Sequence, residues 1–321
     1  MSETIVYSAK KIITMNPSRP EATHVAVRDG RILGAGSLSE LQTWGDVRLD
    51  ERFKDKVLMP GFVEGHAHVM EGSLWSKVYC GWFDRADPDG KLWSGVKSVD
   101  AVVERLRAAE AALEDPAAAV SGWQLDPIYM DNITVTRADL DRVSTTRPVG
   151  VLHASGHIMN VNTKALELAG MMKTGHNHPG IPLGADGLPT GELKGPEVMT
   201  PVGPFVGFER NLLDADEAGL RNFAKLCVRT GTTTITDLAS RMDEDTVDMM
   251  LRVTSEPHYP IRLMPFRFFL GLSAPELVET VLAMKKRATD RLRLGQIKIV
   301  VDGSIQGFSA RLRWPGYHNG A

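Results

Sequence analysis

Val57-Leu-Met-Pro-Gly-Phe-Val-Glu-Gly-His-Ala-His68 is the stretch on which the reading of this chain turns. An apolar run meets a Pro60-Gly61 break, resumes at Phe62-Val63 and ends in two histidines spaced i, i+2. Successive side chains of a strand alternate faces, so His66 and His68 point the same way, roughly 6–7 Å apart along the strand. Two imidazoles at that spacing can hold one metal ion or two adjacent ones. A bare His-x-His is more often a solvated strand end. The apolar strand before this pair and the Pro-Gly at its mouth favour a metal site.

The 321 residues are 43% hydrophobic and 24% charged, ample for a core and for more than one structural unit. Lys and Arg number 37 against 40 Asp and Glu, a net charge of −3. No basic run reads as a nucleic-acid patch. Cys80 and Cys227 are far apart, so they form no disulfide framework and fit a reducing compartment. The start, Met1-Ser-Glu-Thr-Ile-Val-Tyr7, has an acidic residue and lacks the apolar run of a signal peptide. No segment approaches the roughly 20 apolar residues of a membrane span. The expectation is a cytoplasmic protein without nucleic-acid or membrane partners.

Before the histidine stretch, residues 4–58 read as short strands, with Asp29-Gly30 as the two-residue turn of a hairpin over 24–35. A short helix is expected from Ser39 to Trp44. After His68, residues 72–82 are aromatic and read as irregular. A helix is expected from Asp100 to about Glu114, and Ser121-Gly-Trp-Gln124 reads as a loop start. Arg147–His153 is strand-like, and residues 174–191 form a Gly/Pro-rich loop. That loop carries a second His-x-His, His176 and His178, with no apolar strand before it, so it reads as solvated. From Asp214 the pattern becomes regular. A helix to Arg229 leads to a β-branched strand at Thr232–Asp237, with strands at Ile261–Leu270 and Gln296–Gly303 and a capping box at Ser273–Glu276 between them. Alternation of buried strand and helix predicts an α/β fold, a (β/α) barrel rather than a sandwich. A βαβ unit needs only about 30 residues. The gap between His68 and Thr232 is far longer, so roughly 72–213 is an insertion after the first barrel strand. It sits where barrels build their sites.

Pro60-Gly-Phe-Val-Glu-Gly-His-Ala-His68 resembles the first-strand motif of the amidohydrolase superfamily, with Glu64-Gly65 where Asp and a small residue are common. Ser155-Gly-His157 before Val161-Asn-Thr-Lys-Ala-Leu166, Thr190-Gly191-Glu192, Gly231–Asp237 and Ile297-Lys298-Ile299 with Asp302-Gly303-Ser304 are similar to the amidohydrolase 3, or YtcJ-like, branch. The resemblance implies a TIM-like barrel, of which only the first half of the strands is present. It implies that residues 1–58 are part of a small β-sandwich and that 59–321 are the partial barrel with its insertion. His66, His68 and a carboxylated Lys298 are then the metal ligands for one or two divalent ions, zinc by preference.

Several residues carry two readings. A lysine inside a barrel tends to lose its charge, and a neutral amine can take up carbon dioxide as a metal-binding carbamate. The other reading of Lys298 is a lysine reaching the barrel rim. His157 is a catalytic candidate, or a histidine bonded within its own loop. Trp82, Trp123 and Glu192 are candidate substrate-binding residues, although aromatic side chains serve equally as core. The implied activity is hydrolysis of a small-molecule amide-like carbon–nitrogen bond by water that a metal activates. The branch takes further histidines from strands five and six and an Asp from strand eight, none of which falls within residues 1–321. The expectation is therefore a chain completed by a second polypeptide or by a homo-oligomer, or else a truncated or split, non-catalytic subunit.

Overall fold

The computed structural model describes residues 3–131, 133–208, 214–269, 271–302 and 310–317. Gly303, Ser304, Leu270 and residues 209–213 at the end of the expected insertion lie outside the described residues. The chain divides into two compact units, Met1–Val63 and Glu64–Ala321.

In the first unit, β1 (Thr4–Ile13), β2 (Glu21–Arg28), β3 (Arg31–Gly36) and β4 (Val47–Leu58) form one sheet in the order β3-β2-β1-β4. The chain before residue 15 is a single ten-residue strand, whose register against β2 shifts between Ser8 and Ile12. The β2–β3 hairpin turns through Asp29 and Gly30 at φ 52° and 71°, the paired left-handed conformation of a two-residue turn. Helix α1 (Leu38–Leu41) opens on a capping box between Ser37 and Glu40 and clusters Leu41 with Val6 and Ala26.

Strand β5 (Phe62–Ala67) begins at the end of the first unit, continues into the second and leads into α2 (Glu71–Leu74). The insertion then builds a layer of its own. Its elements are β6 (Val78–Tyr79), β7 (Arg85–Ala86), β8 (Leu92–Trp93), α3 (Val99–Ala111), β9 (Val120–Leu125), α4 (Arg137–Asp141), β10 (Val149–His153), β11 (Ile158–Val161), α5 (Thr163–Leu168), β12 (Glu192–Lys194) and α6 (Pro196–Met199). Five of these strands make a mixed sheet in the order β12-β11-β10-β9-β6. Alternation along β10 feeds two cores. Val149 and Val151 join Val102, Val103 and Leu106 of α3, whereas Leu152 joins Leu166 and Met199.

Two sequence expectations are corrected here. Residues 72–82 contain α2 and β6 rather than irregular chain. Ser121–Gln124 is the middle of a strand, β9, buried at every position except Gln124. Gly122 resembles a loop residue in sequence, but its missing side chain is a packing requirement. A Cβ there would lie 3.0 Å from Cys80 Sγ and 3.1 Å from Leu106 Cδ2.

After the insertion come α7 (Glu217–Thr230), β13 (Thr232–Ser240), α8 (Glu244–Thr254), β14 (Arg262–Phe268), α9 (Ala274–Lys285) and β15 (Gln296–Lys298). The sheet order β5-β13-β14-β15 follows chain order, and β13–β14 and β14–β15 pair in parallel. Parallel neighbours joined by helices define an α/β fold. The fourth strand is shorter than expected: beyond Lys298, Ile299, Val300 and Val301 are 61%, 46% and 90% exposed.

Helix α7 starts two residues later than expected, at the cap Asp216, whose carboxylate accepts from Gly219 N–H at 2.6 Å. Gly231 closes it at φ 73°. Its stripe of Leu220, Phe223, Ala224 and Cys227 packs in one core with Ala67, Val69 and Ile235. Burying each large side chain contributes about 1.5–3 kcal/mol. Where α2 meets α7, Ser73 Oγ donates to Asp216 Oδ1 at 2.9 Å, and a Cβ on Gly72 would lie 1.9 Å from the Gly219 carbonyl oxygen. Gly72→Ala should therefore force two backbones apart and lower folding stability by about 1–3 kcal/mol. An unchanged denaturant midpoint in that variant would show that the crossing tolerates a methyl group.

Candidate metal centre

The phase of β5 is set by what it buries. Ala67 and Val69 enter the core beneath α7, so the intervening His66 and His68 stay on the other side. His66 is exposed and His68 is half-buried. Their ring centroids are 5.5 Å apart and the planes cross at 75°. Lys298 ends β15, in register with Phe268 of β14, and its carbonyl accepts from Phe269 N–H at 3.2 Å. Its side chain is partly buried.

Electrostatics tie these groups together. Burial pushes the His68 imidazole below its ordinary pKa, and positive charge on His66, Lys298 and His157 pushes the same way. All three lie within electrostatic reach of one ring. His157 arrives from the insertion, on the turn between β10 and β11. It is exposed, its N–H donates to Ser155 Oγ at 3.3 Å, and its carbonyl accepts from Gly195 N–H at 2.9 Å.

The other sequence candidates lie elsewhere in the insertion. Trp82 stacks on Tyr129 at 5.8 Å, with the Lys97 ammonium 4.3 Å from its ring centroid. Trp123 is 1% exposed and packs edge-on to Trp75 and Tyr79, so it serves the core. Glu192 is buried on β12 and pairs with Lys194 at 2.9 Å. His153 is buried against Asn160, and burial lowers its pKa. In the second His-x-His, His176 Nε2 bonds the Met171 carbonyl at 2.8 Å and His178 Nδ1 accepts from Gly180 N–H at 3.0 Å. Those rings are engaged in shaping their own loop.

Sequence reasoning missed two acids. Asp237, fully buried near the end of β13, lies with Oδ1 4.0 Å from His68 Nδ1 and 3.4 Å from Val69 N, whose N–H it accepts. Asp214 accepts from Ser240 Oγ at 3.3 Å and Arg241 N–H at 3.1 Å, and burial raises its pKa. The signal for Asp237 was present, because an acid near the end of a β-branched buried strand needs a partner. Among the described residues no three His, Cys, Asp or Glu side chains gather as a ligand set. The donors at hand are two imidazoles and the Lys298 amine.

The profile of the amidohydrolase family matches residues 54–317. The chain belongs to the amidohydrolase family. It is 27% identical to Protein LONG AFTER FAR-RED 3 of Arabidopsis thaliana, over 93% of this chain and 50% of that protein. It is likewise 27% identical to the putative amidohydrolase YtcJ of Bacillus subtilis, over 95% of this chain and 55% of that protein. This amidohydrolase chain thus spans about half the length of these relatives. Crystal structures of uncharacterized metal-dependent hydrolases from Pyrococcus horikoshii and Pyrococcus furiosus superpose with TM-scores of 0.62 and 0.60, at 15% and 17% identity. Each superposition takes in 95% of this chain, against 56% and 58% of theirs, and shows a shared fold.

His68 and His153 both have pKa values held below 6.5. The unfolded chain takes up these protons more readily than the folded one. The stability contributed by the neutral rings is therefore complete above about pH 6.5 and is lost as pH falls through that value towards the folded pKa values. Urea denaturation at about pH 7.5 and about pH 5.5 should show lower stability at the acid value, by a smaller margin in His153→Gln. An equal margin in the variant would remove His153 from this account.

Proposed function

We propose that this amidohydrolase chain carries the first half of a metal-dependent hydrolase barrel, acting on carbon–nitrogen bonds of small amide-like molecules. The observation that supports the reading is the His66–His68 pair, ring centroids 5.5 Å apart, with positive charge on Lys298 and His157 acting on the same His68 ring. The donor types fit the group: imidazole nitrogens suit zinc, and two imidazoles stand 5.5 Å apart by ring centroid at the end of β5. His66 and His68 would hold the ion through ring nitrogens. Lys298, once neutral, would add carbon dioxide at Nζ with loss of a proton and present the carbamate oxygens. A divalent ion so held supplies Lewis-acid stabilisation of the carbonyl oxygen and brings the pKa of attacking water to about 7.

The chain's own groups do the rest. His157 holds or releases a proton at its imidazole beside the reacting carbonyl. Trp82, half-buried on the insertion, is the candidate substrate contact that remains, and Glu192, buried and paired with Lys194, and Trp123 are left to the packing of the insertion. Residues 1–58 are half of a β-sandwich. The reaction runs in the cytoplasm.

The sheet needs further strands. Phe62 and Val63 on β5 are 56% and 69% exposed, and Ile299–Val301 beyond β15 are exposed at the opposite edge. Apolar sheet edges of this kind are places for strand addition. Further strands added at these edges would close the barrel there. The same exposure supports a second reading, in which this chain is a non-catalytic subunit with part of the metal site.

Zinc titration of the purified chain, alone and mixed with a polypeptide carrying the family's remaining strands, separates the two. Hydrolysis of an N-acyl amide by the mixture, abolished by chelation and by Lys298→Ala, is expected. Zinc affinity should fall at least about tenfold in His68→Ala. A mixture that binds no zinc and hydrolyses nothing establishes the non-catalytic reading.

A further inference from the structure

We infer that Asp237 is the positioning residue for His68, fixing its imidazole with the proton on Nδ1 and the lone pair on Nε2. His68 Nδ1 is buried and has no hydrogen-bond partner, although the ring as a whole is half-exposed. The polar group facing it is the Asp237 carboxylate, 4.0 Å away and fully buried on the neighbouring strand. Asp237 Oδ1 is already fixed by the Val69 N–H, one residue beyond His68. The backbone that carries the imidazole and the acid that faces it are thus held together. An ionised carboxylate can only accept hydrogen bonds. A ring nitrogen turned towards it is therefore favoured in the N–H form, and Nε2 keeps the lone pair. A histidine oriented in this way by a carboxylate is a more basic, better-aimed donor.

Asp237 is a positioning residue because the ligand nitrogen it would govern is that of His68, which it faces at 4.0 Å. The link to metal affinity rests on the metal-centre reading above, whereas the tautomer does not. The two are therefore read separately. Long-range ¹H–¹⁵N spectra of the metal-free full chain, above the imidazole titration range, report the tautomer. The His68 signal is assigned by its loss in His68→Gln.

The expected wild-type pattern is a protonated Nδ1. In Asp237→Asn, whose amide both donates and accepts, the pattern should become a mixture while the Val69 contact and the circular dichroism are kept. Zinc affinity, read by chelator competition, should fall about 10- to 100-fold in the same variant. A wild-type His68 protonated on Nε2 overturns the assignment, whether or not the variant folds. An unchanged tautomer and zinc affinity in a folded Asp237→Asn overturns it as well. A wild-type chain that shows the Nδ1–H tautomer, loses it in Asp237→Asn and binds no zinc upholds the positioning and rejects the metal centre instead.

Discussion

The alternation of β5 is the constraint on which the site depends. A strand has two faces and a period of two, so burying Ala67 and Val69 beneath α7 leaves no freedom in where His66 and His68 go. A slip of one residue would bury both imidazoles in an apolar core, where neither has partners. The crossing of α2 over α7 locks the phase just after the strand. Two glycines, Gly72 and Gly219, let the backbones meet, and Ser73 and Asp216 bond across the contact. The chemistry of the site is thus held by packing on its far side.

The insertion shows how a long excursion from a parallel sheet becomes a structured layer. It has a mixed sheet with clusters on both faces, and its central strands β9 and β10 are almost wholly buried. Buried strands need a side-chain polar network at their ends. His153, Asn160 and Asn162 provide it, with Asn162 capping α5 and also accepting from Val149 N–H at 3.0 Å. The turn between β10 and β11 then places His157 where its charge acts on His68. A packed layer can hold a charged side chain in place in this way, whereas a loop of the same length would lose much conformational entropy in doing so.

Much of the architecture was legible because it rests on local physics. Asp29-Gly30 announces a left-handed turn, Gly231 a helix end, and Ser273 with Glu276 a capping box, whose Ser273 N–H donates to the Glu276 carboxylate at 2.8 Å. The same local cues misplaced helix starts by a few residues, since Ser98 and Asp216 compete as caps with Asp100 and Asp214 nearby. They failed outright at β9. Gly122 and Ser121 look like loop residues until Cys80, Leu106 and Val151 are seen closing around the glycine.

What the sequence determined by itself is the His66–His68 pair, the strand–helix alternation after Asp214 and the placing of Lys298 on the third strand of that series, the fourth when β5 is counted. These follow from periodicity, which a chain carries in its order of residues. Tertiary structure alone decided that charge on His157 acts on His68 and that Trp123 is core. It alone set the buried Asp237 carboxylate against His68 Nδ1. Each of those joins residues far apart in the chain, and only the packing of sheets and helices brings such residues within reach of one another.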